Sequence, residues 1–247
     1  MSADSASLPY CLNACQLDDL SGAGYDQRLG YLIAKRLVDI VGASVLLLIA
    51  SPILLTAAAV IRLESEGRAI FAQERVGAEF QRINGRIVWH VRTFRFYKLR
   101  TMRRDADPDI HREYLRRFRN GVAERGARKV PFKLAQDLRI TRVGRWLRKT
   151  SVDELPQLVN VILGEMSLVG PRPVPTYEVE LYDESHFDRL AAKPGITGIW
   201  QVYGRGRVSF EEMIAMDVEY VRQSSLWFDF KLLLFTIRSV ISLRGAA

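Results

Sequence analysis

The hydrophobic pattern is most unusual between residues 40 and 61, a stretch that contains no charged residue. At about 1.5 Å per residue, a helix of this length could cross the roughly 30 Å apolar core of a bilayer. Soluble helices rarely stay apolar on every face for so long. We therefore predict a membrane segment within residues 31–66.

Ser51 and Pro52 lie in the middle of this apolar stretch. Proline removes a backbone hydrogen bond, so we expect the helix to kink or break there. Basic residues flank both ends, and such residues favour the cytoplasmic side. A re-entrant helix would keep both flanks in the cytoplasm, with Ser51 bonding the carbonyl that Pro52 frees. A kinked single crossing is the alternative. Asp39 at the mouth is expected to pair with Lys35 or Arg36.

Two later stretches have the pattern of β-strands. Residues 69–73 predict a short strand that a turn at Gly77 ends. Residues 88–102 alternate apolar with basic or polar side chains, which predicts a strand or hairpin with one cationic edge. Period-two geometry places Lys98 and Arg100 on the same side, so that two cations could face one anion.

Three other stretches have helical periodicity. Residues 105–129 are rich in arginine and predict an exposed helix against the membrane or the domain surface. Residues 226–241 predict an amphipathic helix, either interfacial or packed on the core. A short helix before residue 151 carries a cationic face, formed by Arg142, Arg145 and Lys149, together with Arg148.

Asp153 and Glu154 stand where this basic helix gives way to an apolar helical stretch. Ser151 with Glu154 fits a capping box, whereas Pro156 favours a helix start at Asp153. Either way both carboxylates lie at a helix N-terminus, which also attracts phosphate. Acidic residues are common at helix starts for stability alone, so the pair does not by itself identify a site.

Two stiff loops that follow favour a functional site over a simple helix cap. Residues 164–173 hold Arg172 between two prolines, and residues 193–207 combine Lys193 and Arg205 with several glycines. Stiff backbone suits a cation that must meet a phosphate in a set geometry. Either loop alone could be an ordinary turn with a solvent-facing arginine. Together with the basic helix before Asp153, they favour a phosphate-binding site.

Composition limits the class of protein. The chain has 247 residues, 48% of them hydrophobic, and a formal charge of +8, so it can bury a core and should meet an anionic partner. Nucleic acid is disfavoured because no helix-turn-helix, zinc-finger or RNP-type pattern accompanies the basic residues. Residues 1–30 predict a flexible tail without a secretion signal, and its Cys11 and Cys15 read as incidental thiols in a reducing compartment.

The predicted fold class is α+β and mostly helical. A re-entrant membrane helix and amphipathic interfacial helices would carry a small cytoplasmic catalytic domain with a short β-hairpin. The predicted segments are a tail at residues 1–30, the membrane helix-break-helix at residues 31–66 and the membrane-associated domain at residues 67–247.

These motifs resemble those of the bacterial sugar transferases that act as monotopic polyprenyl-phosphate phosphoglycosyl transferases. The resemblance covers about Ala34 to Ala246 and is most similar to the branch that initiates exopolysaccharide synthesis with galactose- or glucose-1-phosphate. One departure is Tyr203, where asparagine or serine is frequent. The matching pieces are Lys35-Arg36 with Asp39, Ser51-Pro52, residues 73–77, 97–102, 147–158, 169–173 and 193–205.

The resemblance implies a covalent two-step mechanism that uses Mg²⁺. It makes Asp153 the nucleophile towards a UDP-sugar, with UMP leaving and undecaprenyl phosphate then taking the sugar phosphate. Glu154 would help hold the metal with Asp153, or handle the proton of the acceptor phosphate. Cations would neutralise the diphosphate, chiefly Lys98, Arg148 and Arg172, with Arg100, Lys193 and Arg205 as further candidates.

The implied partners are a UDP-sugar, undecaprenyl phosphate and membrane phospholipid, without nucleic acid; a homodimer is also considered. The implied location is the cytoplasmic face of the bacterial inner membrane. A function from another class remains open: a non-catalytic membrane-anchored scaffold or regulator could bind anionic lipid or nucleotide through the same basic loops.

Overall fold

A computed structural model describes residues 16–18, 20, 25–103, 106–107, 109–120, 137, 139–204 and 208–241. The predicted mostly helical α+β class is confirmed, because about 59% of the described residues are helical and the strands form one antiparallel and one parallel sheet. The helices are α1 (Tyr25–Glu64), α2 (Asp109–Arg119), α3 (Arg142–Thr150), α4 (Gln157–Leu163), α5 (Thr176–Val179), α6 (Phe210–Gln223) and α7 (Leu226–Ile241). The strands are β1 (Gln16–Asp18), β2 (Ile70–Ile83), β3 (Arg86–Leu99), β4 (Ser167–Val169), β5 (Val174–Pro175) and β6 (Gly195–Thr197). Cys11 and Cys15 lie outside the described residues.

The larger sheet has the order β1-β3-β2-β5 with antiparallel neighbours. Its centre is one long hairpin in which β2 and β3 each have 14 residues. The turn is formed by Asn84 and Gly85, whose φ angles of 49° and 75° are the positive values that a tight hairpin turn needs. The predicted short strand with a turn at Gly77 was therefore wrong, because pairing continues past Gly77 to Ile83.

Helix α1 runs through Pro52 without interruption, so the predicted break is absent from the backbone. The hydroxyl of Ser51 donates a hydrogen bond to the carbonyl oxygen of Leu48 at 2.8 Å. Leu48 is four residues before Pro52, and its carbonyl is the one that proline leaves without a backbone donor. The predicted role of Ser51 is thus confirmed, and it explains how the helix tolerates the proline.

Both halves of α1 pack against the rest of the protein. Leu32 and Ala43 of the first half belong to the main core, while Ala57 and Ile61 of the second half pack with Leu147 of α3. The opposite side of α1 exposes large apolar residues, such as Leu48 and Leu55 at 76% and 73%. Length and composition would allow this helix to cross a membrane.

Helices α2 and α7 differ in which side they bury: α2 buries apolar residues, whereas α7 exposes many of its own. Helix α2 buries Tyr114 and Phe118 against Phe210 of α6, so it packs on the domain and turns its arginines outward. Helix α7 has the predicted bounds, but it buries Asp229 and exposes apolar residues that include Trp227 at 64%. This inverted arrangement is typical of a helix at an interface with an apolar medium.

Asp229 is the carboxylate that pairs with Lys35, where the sequence had predicted Asp39. Lys35 pairs with Asp229 at 2.7 Å, and Asp229 also accepts hydrogen bonds from the hydroxyls of Tyr31 and Tyr220. Asp39 instead accepts from the hydroxyl of Ser167 at 3.0 Å and the amide of Leu168 at 2.9 Å. The predicted pairing of Asp39 was therefore wrong, because Lys35 and Asp39 each find a partner in a distant segment of the chain.

Candidate active site

Asp153 lies in a tight turn between α3 and α4. Helix α3 ends at Ser151, whose φ of 59° turns the chain into a single 3₁₀ turn, Val152–Glu154. The side chain of Ser151 makes no capping hydrogen bond for this turn, so the capping-box alternative does not hold. The predicted start of the α-helix at Asp153 was also wrong, because Asp153 lies in the 3₁₀ turn before it. Helix α4 then begins at Gln157 with Pro156 at its N-cap, where a missing amide costs nothing.

The side chain of Asp153 is buried, and two cations lie near enough to interact with its charge. Asp153 is only 7% exposed. Burial and the charge of Arg148 lower the pKa of Lys98 to about 8, and the negative charge of Asp153 opposes that shift. Burial also lowers the pKa of Arg148, and Asp153 is the first group that counteracts it. Arg148 is held by a 2.9 Å hydrogen bond from its Nε to the hydroxyl of Thr101.

The loop that carries Arg172 is fixed through three consecutive carbonyls. The carbonyls of residues 171, 172 and 173 accept hydrogen bonds from the Gly195 amide at 2.7 Å, from Arg189 at 3.3 Å and from Arg75 at 2.8 Å. Gly195 allows this approach, because a Cβ there would lie 2.0 Å from the amide nitrogen of Gly170. The predicted stiffness of this loop therefore comes from these donors as well as from its prolines.

Arg172 itself points towards the carboxylate turn. Its Nη1 lies 3.7 Å from Oε1 of Glu154, and its guanidinium carbon lies 5.9 Å from the ring centre of Trp200. Both side chains of the ion pair are about a quarter exposed, at 26% and 27%, which leaves them accessible to a ligand. Arg172 can therefore contact an anion that reaches Glu154.

Buried groups behind the loop hold Arg189 in place. Arg189 and Asp217 are both 0% exposed and are joined by a hydrogen bond between Nη2 and Oδ2. Glu178 lies 3.7 Å from the other side of the guanidinium. Burial raises the pKa of Asp217 to about 6 against the effect of Arg189, and burial likewise raises the pKa of Glu178. This cluster supports the backbone of Arg172 from inside the domain.

A small cavity of about 40 Å³ opens beside Arg172, enough room for a phosphate group or a few water molecules. It is lined by Arg75 and His111 among others. Burial and the charge of Arg172 lower the pKa of Arg75 to about 10, so Arg75 remains a cation. Burial and Arg75 lower the pKa of His111 to about 4, so His111 is neutral and shares a 2.7 Å hydrogen bond with the hydroxyl of Tyr177.

Four cations thus converge near two carboxylates. The charges of Arg148, Arg75 and Arg172 each lower the pKa of Lys98, which places the four cations in one electrostatic cluster. Positive charge in excess of the local carboxylates favours a ligand with several negative charges. A diphosphate or a phosphate ester has the charge and the oxygen acceptors that this arrangement suits.

Comparison with known proteins agrees with this chemistry. The family described as "Bacterial sugar transferase" matches residues 30–243. The chain belongs to the bacterial sugar transferase family. The resemblance seen in the sequence motifs and the assignment to the transferase class are both confirmed.

Three relatives within this family illustrate the range. The chain is 43% identical over 220 residues to the galactosyl transferase CpsE of Streptococcus agalactiae, covering 89% of this chain and 44% of the relative. It is 40% identical over 214 residues to the exopolysaccharide production protein ExoY of Rhizobium meliloti, covering 87% and 88%. It is 39% identical over 240 residues to a UDP-glucose:undecaprenyl-phosphate glucose-1-phosphate transferase of Caulobacter vibrioides, covering 94% and 78%. The chain therefore spans less than half of the first relative and most of the other two.

Two cations predicted for the site lie elsewhere in this sugar transferase. Arg100 follows β3 and donates to the backbone carbonyls of Ser65 and Glu66 just after α1, so its guanidinium does not share an anion with Lys98. Lys193 donates to the carbonyl of Gly164 at 2.6 Å, at the end of α4 opposite Asp153. The structure therefore does not bring either cation to Asp153, because each donates to backbone carbonyls elsewhere.

Other predicted positions are also rearranged. Arg142, Arg145 and Lys149 are exposed, so the predicted cationic face of α3 meets solvent while Arg148 turns inward. Tyr203 is 55% exposed and packs against Phe235 of α7, with ring centres 5.5 Å apart. Arg205 lies outside the described residues.

Sequence reasoning missed three groups that support the site. Arg75 stands in a motif that carried the resemblance, yet nothing in its spacing revealed that it reaches the Arg172 loop. Arg189 lies in a stretch without a recognisable motif, and His111 lies in a helix read as a surface element. A buried arginine that bonds a loop carbonyl leaves no signal in a single sequence.

The carboxylates present fit a magnesium ion. Within the described residues, no group of three or more His, Cys, Asp or Glu side chains could hold a metal. Mg²⁺ is usually held by one or two carboxylates together with the phosphates of a substrate. Asp153 with Glu154 is such a donor set, and a diphosphate would complete it.

Proposed function

We propose that this protein transfers hexose 1-phosphate from a UDP-hexose, UDP-galactose or UDP-glucose, to undecaprenyl phosphate, and so initiates synthesis of an exopolysaccharide or another surface glycan. The observation that carries the proposal is the buried carboxylate of Asp153 among the cations Lys98 and Arg148. The names of two relatives, a galactosyl transferase and a UDP-glucose:undecaprenyl-phosphate glucose-1-phosphate transferase, support the choice of donor and acceptor.

In the first step, a carboxylate oxygen of Asp153 attacks the phosphorus that bears the sugar. A new oxygen–phosphorus bond forms, the bond from that phosphorus to the bridging oxygen breaks, and UMP leaves with the electron pair. The sugar phosphate remains on Asp153 as an acyl phosphate. Splitting the transfer in this way lets one buried carboxylate serve both donor and acceptor.

Like charge opposes the attack of a carboxylate on a diphosphate, so the surrounding cations are essential. Lys98 and Arg148 interact with the charge of Asp153, and the fixed loop places Arg172 beside Glu154. Charges held in place before the reaction stabilise the developing negative charge without reorganising. A magnesium ion held by Asp153 and Glu154 would add further neutralisation of the diphosphate.

In the second step, an oxygen of undecaprenyl phosphate attacks the same phosphorus. The bond to Asp153 breaks, the carboxylate is restored, and the product is undecaprenyl-diphosphate-hexose. Glu154 lies beside Arg172, where it can meet the acceptor phosphate and take up its proton. The same cations then stabilise the second transition state.

We also propose that α1, bent at Pro52 rather than broken there, is a re-entrant membrane helix at the cytoplasmic face of the bacterial inner membrane. Its two halves pack on the same domain, one against the main core and one against α3, which supports entry and exit by a single face. The exposed apolar sides of α1 and α7 would contact lipid. This arrangement keeps Asp153 near the headgroups, where the acceptor phosphate resides.

Nucleotide release tests the reaction directly. The protein in membranes with undecaprenyl phosphate should release UMP from UDP-galactose or UDP-glucose, and Asp153→Asn should abolish both UMP and lipid product. Asp109→Asn, which alters an exposed aspartate of α2, should retain activity. UDP as the released nucleotide would contradict the mechanism, and no release at all would favour a non-catalytic scaffold.

A further inference from the structure

A second, larger cavity lies away from the catalytic residues. It has a volume of about 240 Å³ and is formed by the first half of α1, the β2–β3 hairpin and the end of α6. Apolar side chains that include Leu32, Phe80, Trp89 and Ala192 form much of its wall. None of the residues that surround Asp153 lines it.

The lining of the cavity carries more positive than negative charge. Four cations line it, whereas Asp39 is its only carboxylate among the described residues. Lys35 is neutralised by Asp229 outside the lining. Arg36 and Lys193 have backbone carbonyls as partners: Arg36 bonds the carbonyls of residues 161 and 162, and Lys193 bonds that of residue 164. Carbonyls satisfy their hydrogen bonds but carry no full negative charge, and Asp39 and Glu79 act on the charge of Lys193 without forming an ion pair with it.

Trp89 adds an unused donor to this wall. Trp89 is 1% exposed, and its indole Nε1 has no hydrogen-bond acceptor within the described part of the chain. A buried donor without an acceptor is costly, so most such groups in folded proteins find a partner. An oxygen of a bound anion would satisfy it while meeting the charges of Arg36 and Lys193.

The cavity opens onto the apolar side of α1. Ile33 and Leu37 line it and are 55% and 60% exposed, as part of the surface proposed to face lipid. A ligand that fits both parts has an anionic head for the basic wall and an apolar chain for the exposed edge. The volume is below the roughly 300–1,000 Å³ typical of sites that enclose a whole drug-sized ligand, so it suits a headgroup alone.

The position separates this cavity from the chemistry. Arg36 and Lys193 bind the last carbonyls of α4, while Asp153 precedes the start of that helix. At about 1.5 Å per residue, the helix alone puts roughly 10 Å between the two places. A lipid phosphate in the cavity is therefore out of reach of Asp153 and is not the reacting acceptor.

We infer that this cavity binds the phosphodiester headgroup of an anionic membrane phospholipid, with its acyl chains lying along Ile33 and Leu37. The bound lipid would tie α1 to α4 and so stabilise the seat of the catalytic turn. The inference rests on the proposed membrane association of α1, and it does not require the proposed sugar-phosphate transfer.

Lipid retention tests the inference without using activity. The full chain is placed in nanodiscs that contain equal amounts of phosphatidylglycerol and phosphatidylcholine with identical chains, and the retained lipid is identified by native mass spectrometry. Phosphatidylglycerol should be retained preferentially. Flotation with vesicles of the same composition is measured in parallel, so that loss of membrane association is distinguished from loss of this site.

Two pairs of variants locate the binding. Trp89→Phe removes the indole donor and keeps an aromatic ring, while Lys193→Gln removes the charge and keeps a donor for the carbonyl of Gly164. Each should weaken phosphatidylglycerol retention about tenfold, the usual range for one hydrogen bond to a charged group. Trp146→Phe and Lys149→Gln alter exposed residues of α3 outside the cavity, and they should change retention less than about twofold.

The inference fails if phosphatidylcholine is retained equally well, or if Trp89→Phe and Lys193→Gln both retain phosphatidylglycerol like the unaltered protein. Preferential displacement by undecaprenyl phosphate would assign the cavity to the acceptor instead and overturn the proposal. Displacement by glycerol 3-phosphate alone would identify a soluble anion as the ligand, with the same consequence. A protein that floats with vesicles yet retains no phosphatidylglycerol would refute this inference and leave the proposed function untouched.

Discussion

The two ends of helix α4 are both surrounded by basic side chains, but these meet different partners. Before its first turn, Lys98 and Arg148 act on the carboxylate of Asp153. At its last turn, Arg36 and Lys193 bind backbone carbonyls. Cations beside a buried carboxylate can prepare it to meet an anionic substrate, whereas cations on carbonyls hold a helix in place.

The arrangement also matches the direction of the helix. Negative groups are favourable near a helix N-terminus and cations near its C-terminus, each by about 0.3–1 kcal/mol. Because Arg36 belongs to α1, its bonds to residues 161 and 162 join the helix proposed to enter the membrane to the helix that follows Asp153. If both proposals hold, one short helix connects the reacting carboxylate to the membrane helix.

The largest effect on kcat is expected when Arg172 beside Glu154 is compared with an exposed arginine of α3. Arg172→Ala should lower kcat by about 10²–10³-fold, the usual cost of removing one preorganised charge from a transferring phosphoryl group. Arg145→Ala, which removes an exposed arginine of α3, should change kcat less than about twofold. Steady-state UMP release under saturating UDP-hexose measures both. Equal losses in the two variants would show that general positive charge, rather than the fixed Arg172 loop, drives the reaction.

A smaller effect should follow pH. The pKa of Lys98 is lowered to about 8, so Lys98 is charged below that pH and neutral above it. We expect kcat/KM to fall as pH rises past this value, approaching about tenfold per pH unit. In Lys98→Arg the guanidinium stays charged, so this decline should move to higher pH. An unchanged profile in Lys98→Arg would assign the decline to another group.

The same lysine should affect stability in the opposite direction. Between about 8 and the ordinary value of 10.5, the unfolded chain holds the Lys98 proton that the folded protein has lost. The contribution of Lys98 to the free energy of unfolding therefore rises with pH in this window while activity falls. Thermal unfolding followed across the window distinguishes this pattern from general alkaline inactivation, in which both decline together.

The smallest effect is expected for Arg100, which the structure places on backbone carbonyls away from Asp153. Arg100→Ala should lower the Tm by about 2–4 °C, because the carbonyls of Ser65 and Glu66 lose a charged donor at a partly exposed position. The KM for UDP-hexose should change less than about twofold, since Arg100 has no ligand to hold. A large rise in KM with an unchanged Tm would return Arg100 to the phosphate-binding cluster.

Much of the site was predictable because its residues are close in sequence or stand in recognisable motifs. The Asp153-Glu154 pair, the inward cation Arg148 and the stiff loop around Arg172 follow from local pattern and resemblance. Ser51 could be assigned to the carbonyl freed by Pro52 because both lie within one helical turn. The bounds of α7 followed from amphipathic periodicity alone.

The remaining features depend on which distant segments meet. Nothing near Lys193 or Arg100 in the chain indicates that a helix end will supply carbonyls for it. Arg75 reaches the loop of Arg172 only because β2 and β5 pair. The length of the hairpin, by contrast, is indicated locally, because Asn84-Gly85 is a stronger signal for a hairpin turn than Gly77.

The central claim is that Asp153 becomes covalently bonded to the sugar phosphate, and mass spectrometry of the intact protein and of its proteolytic peptides tests it most directly. The protein is incubated with UDP-hexose without undecaprenyl phosphate and quenched in acid. The account predicts a mass increase of one hexose phosphate on the peptide that contains Asp153, absent from Asp153→Asn and lost when undecaprenyl phosphate is added. Release of UMP without this adduct, or the adduct on another residue, would contradict it.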